Sequence, residues 1–302
     1  MLSDQIGHEN PGFAAIRAGA VLNLESENEM ERAAVIGAEL GCRPLVAVRV
    51  NPSFELKSSG MKMGGGPKAF GVDAERVPAM LARLGELDLE FRGFHIFSGS
   101  QNLSAENIIE AQNKTVELGC ELAKSAPCNV SVFNIGGGYG IPMFPGDGVL
   151  DLGPIGDNLA LRMAEVAQRL DGCRLAIELG RYLVGEAGLY VCEVVDRKES
   201  RGETFLITNG GMHHHLAASG NFGQVLRKNY PVVVANRVRG SEREVVNVVG
   251  PLCTPLDILA DKMELSVAGP GDLIAVYQSG AYGYSTSPHG FLSHPLPGQL
   301  LV

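Results

Sequence analysis

Short continuous apolar runs alternate, over the first two-thirds of the chain, with longer segments whose apolar positions recur at helical spacing. Val21–Leu24 reads as a strand, and Ser26-Glu27-Asn28-Glu29 behind it is a capping box, a hydroxyl and a carboxylate placed to satisfy backbone N–H groups at a helix start. Met30, Ala33, Ala34, Gly37 and Leu40 then share one helical face until Gly41 stops it. Further strands are expected at Pro44–Val50, Phe91–Phe97, Val130–Ile135 and Arg174–Glu178. Between them fall a helix capped by Asp73, with Val77, Met80, Leu81 and Leu84 on one face, and another running from Ser104 to about Ala123. A third carries Leu159, Met163, Val166 and Leu170. Such alternation means a parallel sheet, doubly wound or closing into a (β/α) barrel. Beyond Arg181 the period changes. Leu189–Val195, Thr204–Thr208, Tyr230–Ala235, Arg243–Val249 and Asp272–Tyr277 are β-like runs punctuated by Gly, Asn and Pro. The expected division is therefore 1–183, α/β, and 184–302, all-β.

Composition narrows the function classes. The chain has 302 residues, 25 Lys plus Arg against 34 Asp plus Glu, and a formal charge of −9. A non-specific nucleic-acid binder needs a basic footprint, which this balance denies. No apolar run reaches the ~18–20 residues that span a bilayer, and the first residues lack a signal-peptide pattern, so the cytoplasm is the expected location. The six cysteines form no paired spacing and read as reduced thiols.

In either parallel architecture, chemistry collects at the C-terminal ends of the strands. Those ends read Asn51-Pro52, Ser98-Gly99-Ser100-Gln101, Gly136–Gly140 and Glu178-Leu179-Gly180-Arg181. A glycine run can turn backbone N–H groups toward an anion, or it can be simply a tight turn. Ser100 offers a hydroxyl and Arg181 a bidentate charge to the same phosphate, and Glu178 is a carboxylate suited to a cationic ring nitrogen. The β region adds Gly250-Pro251-Leu252-Cys253-Thr254-Pro255-Leu256-Asp257 and Gly280-Ala281-Tyr282-Gly283.

Taken in order, Ser-Gly-Ser-Gln, Asn-Ile-Gly-Gly-Gly-Tyr-Gly, Glu-Leu-Gly-Arg, Gly-Pro-Leu-Cys-x3-Asp and Gly-Ala-Tyr-Gly resemble the fold-type III pyridoxal-phosphate decarboxylases, the ornithine/diaminopimelate/arginine decarboxylase group. The run Phe94–Asn102 is similar to a branch associated with exosortase systems and to decarboxylases whose amino acid rides on an acyl-carrier protein. The resemblance implies an alanine-racemase-like (β/α)8 barrel with a C-terminal β domain, a homodimer with sites at its interface, and pyridoxal 5′-phosphate as cofactor. It assigns the phosphate to Gly136, Gly137, Gly138, Ser100, Arg181 and Tyr282, the ring nitrogen to Glu178 and the ring face to Phe97. Cys253 would protonate the Cα carbanion in the partner's site, while His95 and Asp257 would contact substrate. A thiol suits that task because its ordinary pKa of ~8.5 leaves it mostly protonated near neutrality.

The sequence departs from the family pattern at four places. Phe97 replaces a stacking His, Thr254 an acidic residue that binds a distal amine, and Leu179 a Pro. The fourth is the cofactor-bonding lysine, which the family carries in a Tyr-Ala-Val-Lys-Ala-Asn-Pro run. The look-alike Val46–Pro52 holds Arg49, whose guanidinium stays protonated. With five barrel strands in place of eight, the residues before Val21 are expected to lack the first three strands and that lysine. A non-catalytic or truncated homologue is the competing reading. Lys57 and Lys62 are placed in a Gly-rich loop, solvated or near phosphate. His213-His214-His215 is read as a polar edge without a metal, since alternate residues of a strand face opposite ways. Arg201, Arg227, Lys228, Arg237 and Arg239 are candidates for a basic patch that would receive an acidic carrier protein.

Overall fold

The computed structural model describes residues 11–54, 61–62, 64–144, 146–222 and 227–302. Two compact units divide the chain: residues up to Gly140 with Leu150–Leu179, and Ile141–Val149 with Gly180–Val302. A single cut at 183 does not describe the excursion of Ile141–Val149.

In the first unit the order is α1 (Pro11–Arg17), β1 (Leu22–Leu24), α2 (Glu27–Leu40), β2 (Leu45–Asn51), β3 (Met61–Lys62), β4 (Val72–Asp73), α3 (Val77–Leu84), β5 (Glu90–Ile96), β6 (Gly99–Ser100), α4 (Ala105–Leu122), β7 (Val132–Gly137), α5 (Gly153–Arg169) and β8 (Arg174–Glu178). The five strands read from the apolar runs form the parallel path β1-β2-β5-β7-β8, with β4 beside β2. Helices α2 to α5 supply the crossovers that parallel pairing requires. Val46, Val48 and Val50 of β2, Phe94 and Ile96 of β5 and Phe133 of β7 are almost wholly buried, packed with Met30, Met80, Leu81 and Val116 from the helices. Because all five strands run the same way, Asn51, Ser98, Gly137 and Glu178 lie at the C-terminal end of the sheet.

The start of α2 is capped as the sequence indicates: Glu29 N–H donates to Ser26 Oγ at 3.2 Å, and Glu29 Oε2 accepts from Glu25 N–H at 2.6 Å. Asp73 is a correction. Helix α3 follows Arg76 without a side-chain cap. The Asp73 carboxylate instead accepts from Asn51 Nδ2 at 2.8 Å, because β4 pairs with β2 and brings a buried amide against it.

The second unit contains α6 (Arg181–Val184), β9 (Tyr190–Ser200), β10 (Glu203–Thr208), β11 (Val232–Val234), β12 (Arg243–Val249), β13 (Ile258–Ser266) and β14 (Leu273–Val276). Its sheet has the order β11-β14-β9-β10-β12-β13, antiparallel except between β10 and β12. The sequence pattern missed β13. Its centre, Asp261-Lys262-Met263-Glu264, breaks the apolar alternation, and Lys262 at φ 47° sits where the pairing with β12 slips. The three consecutive histidines lie in a turn after β10 rather than on a strand, so the alternating-face argument does not apply to them.

Candidate active-site residues

Glu178 ends β8 with a fixed pair of partners. Fully buried His95 on β5 brings Nε2 to 3.1 Å from its Oε2, and Asn134 Nδ2 donates to Oε1 at 3.0 Å. The His95 bond foremost, working against burial, holds the Glu178 carboxyl below the usual carboxylate range. A fixed anion at a strand mouth is the electrostatics a protonated ring nitrogen needs. The contact recorded for His95 is thus to Glu178. Asn134 was not singled out from the sequence; its signal was a polar residue inside an otherwise apolar strand.

Asn134 also accepts the Gly136 N–H through Oδ1 at 2.9 Å. That N–H is engaged by the chain itself. A Cβ on Gly137 would lie 1.7 Å from Glu178 O, and one on Gly138 would lie 1.9 Å from Gly99 O and 3.2 Å from Ser100 Cα. Close backbone approach therefore demands these glycines, and the same approach sets Ser100 beside Gly138. Phe97 joins the group, its Cδ2 2.7 Å from where a Gly136 Cβ would sit. The first unit thus gathers Phe97, Ser100, Gly136–Gly138, His95 and Glu178.

Arg49 has a structural setting. It is 3% exposed, donates Nη1 to Glu25 Oε1 at 2.8 Å and lies 4.9 Å over the Phe70 ring. Lys114, Lys124 and Lys262 stand in surface ion pairs with Glu110, Glu121 and Glu203. Lys57 and the Lys62 side chain lie outside the described residues.

In the second unit the Arg181 guanidinium lies 5.0 Å over the Tyr282 ring. Its Nη1 is buried and has no hydrogen-bond partner among the described residues. Cys253 is exposed at the tip of the loop from Gly250 to Asp257. Asp257 closes that loop: its backbone O accepts from Gly250 N–H at 2.9 Å and its Oδ2 from Leu252 N–H at 2.8 Å. Oδ1 accepts from Met212 N–H at 2.6 Å. The carboxylate is 3% exposed, and burial pushes its pKa up against those donors. Both oxygens are therefore occupied by backbone, one within the Cys253 loop and the other at Met212. Asp257→Ala strands two buried N–H groups and is expected to lower stability by about 2 kcal/mol. It should also speed alkylation of Cys253 as the loop loosens; an unchanged urea midpoint would sink this.

Two members of the suggested basic patch are engaged internally. Arg227 donates to Ser219 O and Ile258 O, and Arg237 donates to Asp272 Oδ1. Among the described residues, no three His, Cys, Asp or Glu are placed to hold a metal ion, and no helix is long and apolar enough to cross a membrane.

A family model described as pyridoxal-dependent decarboxylase, C-terminal sheet domain, matches residues 21–280. Over 261 residues the chain is 41% identical to an L-glutamyl-[BtrI acyl-carrier protein] decarboxylase of Niallia circulans, covering 85% of this chain and 61% of that protein. It is 28% identical over 284 residues to a diaminopimelate decarboxylase of Aquifex aeolicus, covering 93% and 64% respectively. The chain thus spans less than two-thirds of the length of these relatives. Among solved structures, a diaminopimelate decarboxylase of Helicobacter pylori complexed with L-lysine gives a TM-score of 0.80 at 26% identity, covering 94% of this chain and 68% of that one. A lysine/ornithine decarboxylase of Vibrio vulnificus, with TM-score 0.72 and 21% identity over 94% of this chain and 71% of that one, shares the fold.

Proposed function

We propose, since this chain belongs to the pyridoxal-dependent decarboxylase family, that its residues bind pyridoxal 5′-phosphate and serve the decarboxylation of an amino acid carried on an acyl-carrier protein. The α/β architecture is that of the family, a parallel barrel sheet followed by a β domain. The observation that carries the reading is Glu178, held as a carboxylate by His95 and Asn134 at the end of β8. The phosphate finds support in Arg181, whose buried Nη1 lacks the acceptor that a phosphate oxygen would provide. The family resemblance gives phosphate-binding roles to Ser100, Gly137 and Gly138 in the first unit and to Tyr282 in the second, and gives the Phe97 ring a stacking role without a hydrogen bond.

When bound, the cofactor ring supplies the sink for the electron pair that departing carbon dioxide leaves at Cα. Glu178 keeps the ring nitrogen protonated. Cys253 transfers the proton on Sγ to Cα, and a second copy of this chain is the recipient of that loop in the homodimer. Asp257 holds the loop by its backbone, and His95 orients Glu178. Thr254, whose Oγ1 accepts from Leu256 N–H at 3.3 Å, gives the loop no charge with which to bind a distal ammonium. A glutamyl group joined to a carrier through its side-chain carboxyl has no such ammonium, which favours the substrate class of the Niallia relative.

The test pairs binding with turnover. The chain should bind pyridoxal 5′-phosphate, and Glu178→Gln should weaken that binding. Supplied with a lysine-bearing strand of the kind the family pattern calls for, it should release carbon dioxide from carrier-linked glutamate in preference to free glutamate or diaminopimelate. Cys253→Ala should slow amine formation by about 10²–10⁴-fold while leaving cofactor affinity unchanged. Absence of cofactor binding overturns the reading, and undiminished turnover by Cys253→Ala removes the thiol from it.

A further inference from the structure

The turn of three histidines takes no part in the function above, yet one of them reaches the turn that carries Tyr282. His215 is 1% exposed. Its Nδ1 accepts from Ala218 N–H at 3.1 Å, and because a backbone amide can only donate, the ring proton resides on Nε2. That Nε2–H donates to Ser279 Oγ at 2.9 Å. The Ser279 hydroxyl in turn donates to Val276 O at 2.8 Å, leaving its lone pairs for His215.

Ser279 belongs to the turn that presents Tyr282. Gln278 and Tyr282 stand at its two ends with φ of 60° and 62°, a left-handed conformation that side-chain-bearing residues keep only when their surroundings impose it. Ser279 N–H donates to Gly188 O and Gly280 N–H to Gly185 O, both at 3.0 Å, so the turn is laced to the segment just after α6. A Cβ on Gly280 would lie 1.8 Å from Val184 O. Arg181 begins α6, and its guanidinium lies over the Tyr282 ring.

We propose that His215 is a positioning residue for phosphate recognition: through Ser279 it fixes the Gln278–Tyr282 turn so that Tyr282 and Arg181 address one phosphate group. The proposal rests on the assignment of that pair to the cofactor phosphate. Two substitutions separate the two bonds of the ring. His215→Asn keeps an oxygen near Nδ1 for Ala218 N–H but falls short of Ser279; His215→Gln reaches Ser279 with an amide N–H but abandons Ala218.

The experiment compares pyridoxal 5′-phosphate with pyridoxal, which lacks the phosphate, by ligand fluorescence; the chain has no Trp to obscure it. His215→Asn and Ser279→Ala should each weaken pyridoxal 5′-phosphate binding about tenfold and leave pyridoxal binding unchanged. His215→Gln should stay within about twofold of wild type for both ligands. The double variant should be no weaker than either single one, since both remove the same bond. Equal losses for both ligands, or no loss, overturn the positioning role. Should His215→Asn fail to fold, Ser279→Ala carries the comparison, because it deletes one half-buried oxygen. A wild-type chain that binds no pyridoxal 5′-phosphate overturns the functional reading itself, a result distinct from wild-type binding that the variants leave intact.

Discussion

Gly137→Ala is expected to lower the stability of the first unit by about 3 kcal/mol or more, the upper range for forcing atoms into a packed interior. A Cβ there would lie 1.7 Å from Glu178 O, a backbone atom in the strand paired with it. No rotamer change can relieve such a clash. Strands β7 and β8 must part by more than an ångström, which draws Glu178 away from His95 and Asn134. Loss of pyridoxal 5′-phosphate binding should therefore accompany the drop in urea midpoint. Gly156→Ala is the control. That glycine lies within helix α5 with nothing inside 4 Å of a Cβ. It should gain about 0.5–1 kcal/mol from reduced backbone freedom in the unfolded chain. A Gly137→Ala protein with wild-type midpoint and wild-type cofactor affinity would show that the strands tolerate separation at this point.

The same residue shows where the sequence was informative and where it stopped. Three glycines after an apolar strand mark a place of close approach, and the structure confirms close approach. Which partner approaches was not legible, since the nearest atoms belong to Glu178 and Gly99, residues distant in sequence and joined only by sheet register. The parallel path itself was readable because buried parallel strands are continuous apolar runs separated by amphipathic helices. Strand β13 was not, because a bulge around Lys262 places polar residues where alternation calls for apolar ones. The site residues divide in the same way. Glu178 stands out as a carboxylate ending an apolar strand, and Cys253 within its loop. His95 as the partner of Glu178, and Asp257 as the buried clasp of the Cys253 loop, depend on hydrogen bonds across 83 and 45 residues of sequence. A one-dimensional pattern can only suggest that such residues are polar and buried. Asp73 shows the reverse error: its position before a helix suggested a cap, and a tertiary partner claimed the side chain instead.

Acidification from pH 7.5 toward 4 is expected to destabilise the second unit steeply. Burial, first among the causes, pushes both His213 and His215 down to about 4 from an ordinary value near 6.5. Neighbouring positive charge adds to it, from His214, His294 and His289 around His213 and from Arg181 beside His215. Neither ring nitrogen of His213 has a hydrogen-bond partner among the described residues. A proton on either histidine is therefore accepted by the unfolded chain before the folded one. Stability is fully present above about pH 6.5 and is lost as pH falls through the window down to about 4. His215 alone accounts for about 3 kcal/mol across that window, and His213 acts with the same sign. Glu178, with its carboxyl lowered, adds a loss in the first unit below its ordinary range. Asp257 opposes them: its raised pKa means that the folded state takes up a proton more readily, so its contribution grows as pH falls. The histidines prevail because two of them, both depressed to about 4, act with the same sign against the single opposing carboxylate. Urea midpoints at pH 7.5, 6.5, 5.5 and 4.5 should fall progressively. His215→Gln, which cannot titrate, should flatten that dependence even though it begins less stable. A wild-type midpoint that stays level between pH 7 and 5 would mean that these imidazoles are reached by water or bonded in a way that spares them the cost of burial.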